Sequence, residues 1–124
     1  MTPQELNLQL IKKASFNSFD GDYVVRDLEE HPQLWRACLM DSERYGDNPI
    51  NLIKLRDLVA GYWNVDTLFI LPKPGREDDL YILAQGWASD EISWIGGRIA
   101  EGITGFSSPT TGHNKKAILR LWWD

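Results

Sequence analysis

The spacing of the apolar residues changes once along this chain, near Gly61, and that change limits the folds open to it. Before Gly61, apolar residues recur at helical spacing behind helix-start signals. After it they form continuous or alternating runs: NVDTLFILPK (64–73), DEISWIGG (90–97) and AILRLWWD (117–124). A period near 3.6 followed by a period near 2 predicts helices first and strands second.

The helical half carries its own punctuation. Thr2, Pro3 and Glu5 supply an N-cap, a proline at the first helical position and the acid of a capping box. A helix over 3–14 follows, with Leu6, Leu10, Ile11 and Ala14 expected on its apolar face. FNSFDGD (16–22) reads as a turn, and a second helix runs from about Asp20 to Glu30 with Val24 and Leu28 inward. His31 precedes Pro32 and is pushed out of the α region, so that helix ends there. Pro32 is expected to open a third helix, with Leu34, Trp35, Cys38 and Leu39 as its stripe and Gly46 as its stop. Asn48-Pro49 repeats the start signal. It predicts a fourth helix to about Ala60, carrying Leu52, Leu55 and Val59 on one face, with Gly61 at C′.

In the second half, 64–73 predicts a buried strand closed by Pro72. Leu80, Leu83, Ala84 and Trp87 favour a helix over 77–87, and Glu77, Asp78 and Asp79 suit its N-terminus. A strand over 90–97 then makes a parallel βαβ unit. Residues 96–116, with Gly96, Gly97, Gly102, Gly105 and Gly112, read as a long glycine-rich loop around a short element near 99–103. AILRLWWD closes the chain as a strand. Alternation puts Ala117, Leu119, Leu121 and Trp123 on one face and Ile118, Arg120, Trp122 and Asp124 on the other. Trp123 is expected in the core and Trp122 on a half-exposed face. The class is α+β: a helical N-terminal half packed on a small mixed β-sheet (β-α-β-β) from the C-terminal half, with 1–124 as a single domain.

The totals narrow the function. A net charge of −5 disfavours nucleic acid and an anionic membrane surface. One cysteine, Cys38, rules out an internal disulfide and suits a reducing compartment. No apolar run approaches the ~20 residues that span a bilayer, so a cytoplasmic protein is expected. Cys38 sits on an apolar stripe, where a thiol behaves as a small hydrophobe. No C-x-x-C or H-x-x-x-H spacing marks a metal site, and His31 and His113 lie far apart. No cofactor fingerprint is present. Asp66, Asp90 and Asp124 are the carboxylates that a sheet would have to gather for general acid–base work.

Six tryptophans, Trp35, Trp63, Trp87, Trp94, Trp122 and Trp123, exceed ordinary composition. Trp is enriched at interface hot spots. With no catalytic constellation in view, the expected function is a non-enzymatic protein-interaction module, binding a partner protein or a second copy of itself. Enzymatic activity is left open. Trp122, Arg120 and Asp124 are the candidate binding residues at the C-terminal strand. His113 and Lys115 are the candidates in the glycine-rich loop. The alternative is a small-molecule or phosphate-binding domain, or a small enzyme, using loop 96–116 with Ser107 or Ser108 as further polar groups.

Overall fold

A computed structural model describes residues 1–42, 54–106 and 114–124. The Gly46 stop, the Asn48-Pro49 helix start with Leu52, and Ser107, Ser108, Gly112 and His113 lie outside the described residues.

The first helix, α1 (Pro3–Lys13), begins as its sequence dictates: the Thr2 hydroxyl accepts the Glu5 backbone N–H at 3.1 Å. Its inward face differs from expectation. Leu8 and Ile11 are buried, whereas Leu6 and Leu10 are exposed. Only Ile11 and Ala14 of the expected stripe are in the core. A tight hairpin follows, β1 (Ser15–Phe16) and β2 (Phe19–Asp20), and then α2 (Gly21–Glu30), capped by the Asp20 carboxylate on the Tyr23 N–H at 3.2 Å. The join of α1 to α2 depends on Gly21. A Cβ there would overlap the Ile11 carbonyl oxygen and stand 2.6 Å from that of Ala14.

The third expected helix is not formed. Pro32–Leu34 makes one 3-10 turn, and Trp35–Asp41 is a strand, β3, paired antiparallel to β4 (Thr67–Pro72). Leu34 and Cys38 are buried as expected, but the strand also buries Met40 and leaves Leu39 exposed. Pairing along the whole length of β4 overrides the helix propensity of RACLM. Within the span expected for the fourth helix, the described residues form α3 (Leu55–Val59), which starts only after an extended Lys54, and its Leu55 and Val59 face solvent rather than the core.

The rest follows the expected order: α4 (Glu77–Ala84), extended by a 3-10 turn to Trp87, then β5 (Glu91–Ile95), α5 (Gly97–Thr104) and β6 (Ile118–Trp122). Thus α5 occupies part of the expected 96–116 loop. The sheet order is β3-β4-β6-β5, and every neighbouring pair is antiparallel. The fold is α+β, but two details of the expected sheet change. It takes β3 from the first half, and β6 inserts between β4 and β5. The strands flanking α4 are therefore not neighbours, and the sheet is not mixed. Leu119 and Leu121 are fully buried and Ile118 almost so, which suits a central strand better than the partly exposed residues of β5 do.

One face of the sheet meets α1, α2 and α4. Cys38, Met40, Leu68, Ile70, Leu119, Leu121 and Trp123 join Ile11, Val25, Leu28, Leu80 and Ala84 in one cluster. On the other face, Ala100 of α5 packs with Ala117, Ile118, Phe69 and Ile95. The register expected for the last strand holds from Ile118 to Trp123, while Ala117, just before the strand, packs with the α5 cluster.

Candidate functional site

The last strand draws several candidate residues to one end of the sheet. The Asp90 carboxylate accepts the Asp124 N–H at 2.8 Å, and the Asp90 N–H reaches the Trp122 carbonyl at 2.9 Å. On the other side, Trp123 N–H donates to the Asp66 carbonyl at 3.0 Å. The Asp66 carboxylate accepts the Trp122 indole N–H at 3.3 Å and the Thr67 hydroxyl at 2.8 Å. Asn17 donates its side-chain amide to the Asp124 carbonyl. Asp66 and Asp90 thus flank the end of β6 and hold it through hydrogen bonds to Trp122, Trp123 and the Asp124 N–H.

Arg120 points to the face opposite the main core. Its guanidinium pairs with Glu91 at 3.2 Å and reaches the Ser93 hydroxyl at 3.5 Å, and burial lowers its pKa. Lys115 is exposed in the turn before β6, at the end of that strand away from Asp124. The structure therefore joins Trp122 to Asp66 but does not bring Lys115 to Trp122, Arg120 and Asp124. His113 lies outside the described residues. Cys38 is buried, and burial pushes its thiol up to about 12 against the smaller lowering effect of the Gln4 side chain. A protonated thiol suits the packing role, not a nucleophile. Among the described residues, no cluster of His, Cys, Asp and Glu fits a metal ion, and no helix is long and apolar enough to cross a membrane.

None of the six tryptophans is fully exposed. Trp87 and Trp123 are buried, and Trp35, Trp63, Trp94 and Trp122 are half-buried. One exposed aromatic, Tyr62, lies beside Asp66 in a cleft that half-buried Phe16 and Trp63 also line. This cleft of about 730 Å³ opens between the C-terminal half of α1 (Leu10, Lys13, Ala14), β1 (Ser15, Phe16) and residues 58–66. Phe16, Tyr62 and Trp63 line it with Leu10, Leu58 and Val65, while Lys13, Asn64 and Asp66 add polar groups.

Local backbone chemistry sets this wall. Gly61, at φ +88°, takes the left-handed turn that ends α3 and delivers Tyr62 to the cleft. Tyr62 N–H then bonds the Asp57 carbonyl at 2.7 Å, and Asn64 donates to the Asp57 carboxylate at 3.0 Å. On the opposite wall Phe16 leans on Phe19 (centroids 5.4 Å apart), and Phe19 on Trp123 (4.5 Å). The cleft is thereby backed by the aromatic core.

Of the residues singled out in the sequence, Trp63 and Asp66 line this cleft, while Phe16 and Tyr62 are not among the expected candidates. The signal for the cleft was present in GYWNVD (61–66), an aromatic pair set between a helix-ending glycine and a strand. Comparison with protein-family models, with curated proteins and with solved structures finds no match for this chain.

Proposed function

We propose that the chain is a protein-binding module whose cleft between α1 and residues 58–66 takes an apolar segment of a partner protein. The observation that carries this reading is the rim of the cleft. Tyr62 is 64% exposed, Leu58 50% and Leu10 43%, and all three line one cavity. Leu6, one turn before Leu10 on α1, and Leu55 and Val59 on α3 are exposed as well. Large apolar side chains gathered at a concave surface cost free energy in water, and burial against a partner removes that cost.

The chemistry of the lining fits a protein segment. Aromatic and aliphatic walls supply contact area, and Lys13 and Asp66 at the margin give a partner's backbone or side chains polar groups to meet. The volume is also in the range of small-ligand pockets, roughly 300–1,000 Å³. The exposed apolar residues beyond the cavity favour the larger partner, since a small molecule would leave them wet.

A comparative capture experiment tests the reading. Wild-type protein, the Leu58→Ser/Tyr62→Ser variant and an Ile99→Ser control, each immobilised, are exposed to extract of the native cells, and bound proteins are quantified. The reading expects a partner retained by wild type and Ile99→Ser but lost from the cleft variant. Identical retention by all three contradicts it.

A further inference from the structure

Two further cavities meet on the sheet face away from the main core, and no residue of the cleft lines either. A bulge in β3 prepares this face. The pairing of β3 with β4 shifts register between Trp35 and Ala37, which leaves Arg36 as the extra residue. Trp35 and Cys38 pack with the main core, so Arg36 and Ala37, between them, both turn to the other side.

The first cavity, of about 300 Å³, is an apolar groove lined by Ala37, Leu39, Phe69, Leu71, Ile103 and Ile118. The polar side chains at its margin are engaged within the protein. Gln4 bonds the N–H and the carbonyl of Cys38, each at 2.9 Å, and Asn7 donates to the Pro3 carbonyl at 2.9 Å. The Thr104 hydroxyl accepts the Phe106 N–H at 3.1 Å. The second cavity, of about 220 Å³, adjoins the first at Leu71, which lines both. Arg36 and Glu77 line it together with Asn114 and Phe106. Arg36 comes from the bulge, and its guanidinium stands 5.2 Å from the centre of the Phe106 ring. Glu77 comes from the first turn of α4, which Gly75, at φ +81°, turns away from β4. Among the described residues, neither Arg36 nor Glu77 forms an ion pair, with the other or with any third group. A cation and a carboxylate thus line one small cavity without closing on each other, beside an apolar groove.

We propose that the two cavities form one binding site for a free α-amino acid with a large apolar side chain. Arg36 takes its carboxylate, which the planar guanidinium fork matches. Glu77 takes its ammonium group, and its side chain crosses Leu71 into the groove. Charge complementarity selects this class of ligand. A fatty acid would set its carboxylate beside Glu77, an apolar amine would set its cation beside Arg36, and an uncharged apolar molecule would use neither. Taken together the cavities lie within the size range of ligand sites, roughly 300–1,000 Å³. This site is separate from the partner cleft and stands or falls without it.

Amide NMR titration of the nitrogen-labelled chain tests the proposal with L-phenylalanine and three analogues. Phenethylamine lacks the carboxylate, hydrocinnamate lacks the ammonium, and L-alanine lacks the ring. L-Phenylalanine should give saturable shifts at Ala37, Leu71 and Glu77. Each analogue should bind at least roughly tenfold more weakly, the effect of one lost hydrogen bond to a charged group or of the lost apolar contact. Arg36→Gln should weaken L-phenylalanine to a similar degree and leave phenethylamine unchanged. Glu77→Gln should weaken L-phenylalanine and leave hydrocinnamate unchanged. Circular dichroism verifies the fold, and the analogue series on wild type reads the same two charges where a variant fails to fold. The proposal is overturned by the absence of saturable shifts at these residues, by hydrocinnamate or phenethylamine binding as tightly as L-phenylalanine, or by a folded variant that weakens all the ligands alike.

Discussion

Trp123 donates its indole N–H to the carbonyl of Trp87 at 3.1 Å, and both side chains are shut off from solvent. The Trp87 indole in turn donates to the Asp27 carboxylate at 2.8 Å. The last residues of the chain, the end of α4 and the middle of α2 are thus tied through two buried indoles. Trp122, next in the chain, is half-buried and bonded to Asp66. Neighbouring tryptophans therefore carry unequal loads. Trp123→Ala should cost roughly 3–5 kcal/mol through the cavity it leaves. Trp122→Ala should cost about 1–2 kcal/mol, mostly the lost indole bond and partial burial. Urea denaturation of the two variants checks the order, and the reverse order would mean that the register of β6 is inverted.

Two glycines make an opposite pair. Gly21→Ala places a methyl group against the carbonyls of Ile11 and Ala14 and should destabilise by about 1–3 kcal/mol or more, as overpacking does. Gly102, inside α5, has open space where a Cβ would stand. Gly102→Ala should stabilise by roughly 0.5–1 kcal/mol. Thermal denaturation that shifts both variants the same way would contradict the packing described for one of them.

Cys38 makes stability depend on pH at the alkaline end. The folded thiol is raised from its ordinary 9.0 to about 12 by burial. Between those values the unfolded chain has lost the proton that the folded chain keeps, so stability falls as pH rises. It should fall by about 1.4 kcal/mol per pH unit above 9 from this group alone. The slope should be absent from Cys38→Ala, and equal slopes in the two proteins would refute the assignment. Iodoacetamide should alkylate native Cys38 at pH 8 more slowly than the unfolded chain, since only the thiolate reacts and the folded thiol is buried.

Much of this fold could be read from the sequence where a local signal and the tertiary demand agree. Thr2-Pro3 starts α1, Asp20 caps α2, and the alternation in ILRLWW sets the faces of β6. The failures lie where the partner of a segment is far away in sequence. RACLM suits a helix or a strand locally, and only its pairing with β4 decides. The intrusion of β6 between β4 and β5 is invisible to periodicity, which fixes faces but not neighbours. In α1 both Leu6/Leu10 and Leu8/Ile11 offer a helical stripe, and the packing of α2 and β3 selects the second. That choice is also what leaves Leu10 for the cleft. No short motif joins the walls of the cleft in the sequence, because Phe16 comes from a hairpin and Tyr62 from the turn after α3.

The rim residues of the cleft are expected to matter for binding and little for folding. Leu58→Ser and Tyr62→Ser remove side chains that are at least half exposed, so each should move stability by no more than about 0.5 kcal/mol. A larger loss in chemical denaturation would assign these residues to the core instead.

The most direct measurement is covalent capture at the cleft itself. A photo-reactive phenylalanine analogue placed at Tyr62, and separately at exposed Ile82 of α4, is irradiated in the native cells. Adducts are resolved by mass and identified. The binding-module account predicts a discrete cross-linked protein from position 62 that is missing from position 82 and that disappears when Leu58→Ser is added. No adduct at position 62, or the same adducts from both positions, would contradict it.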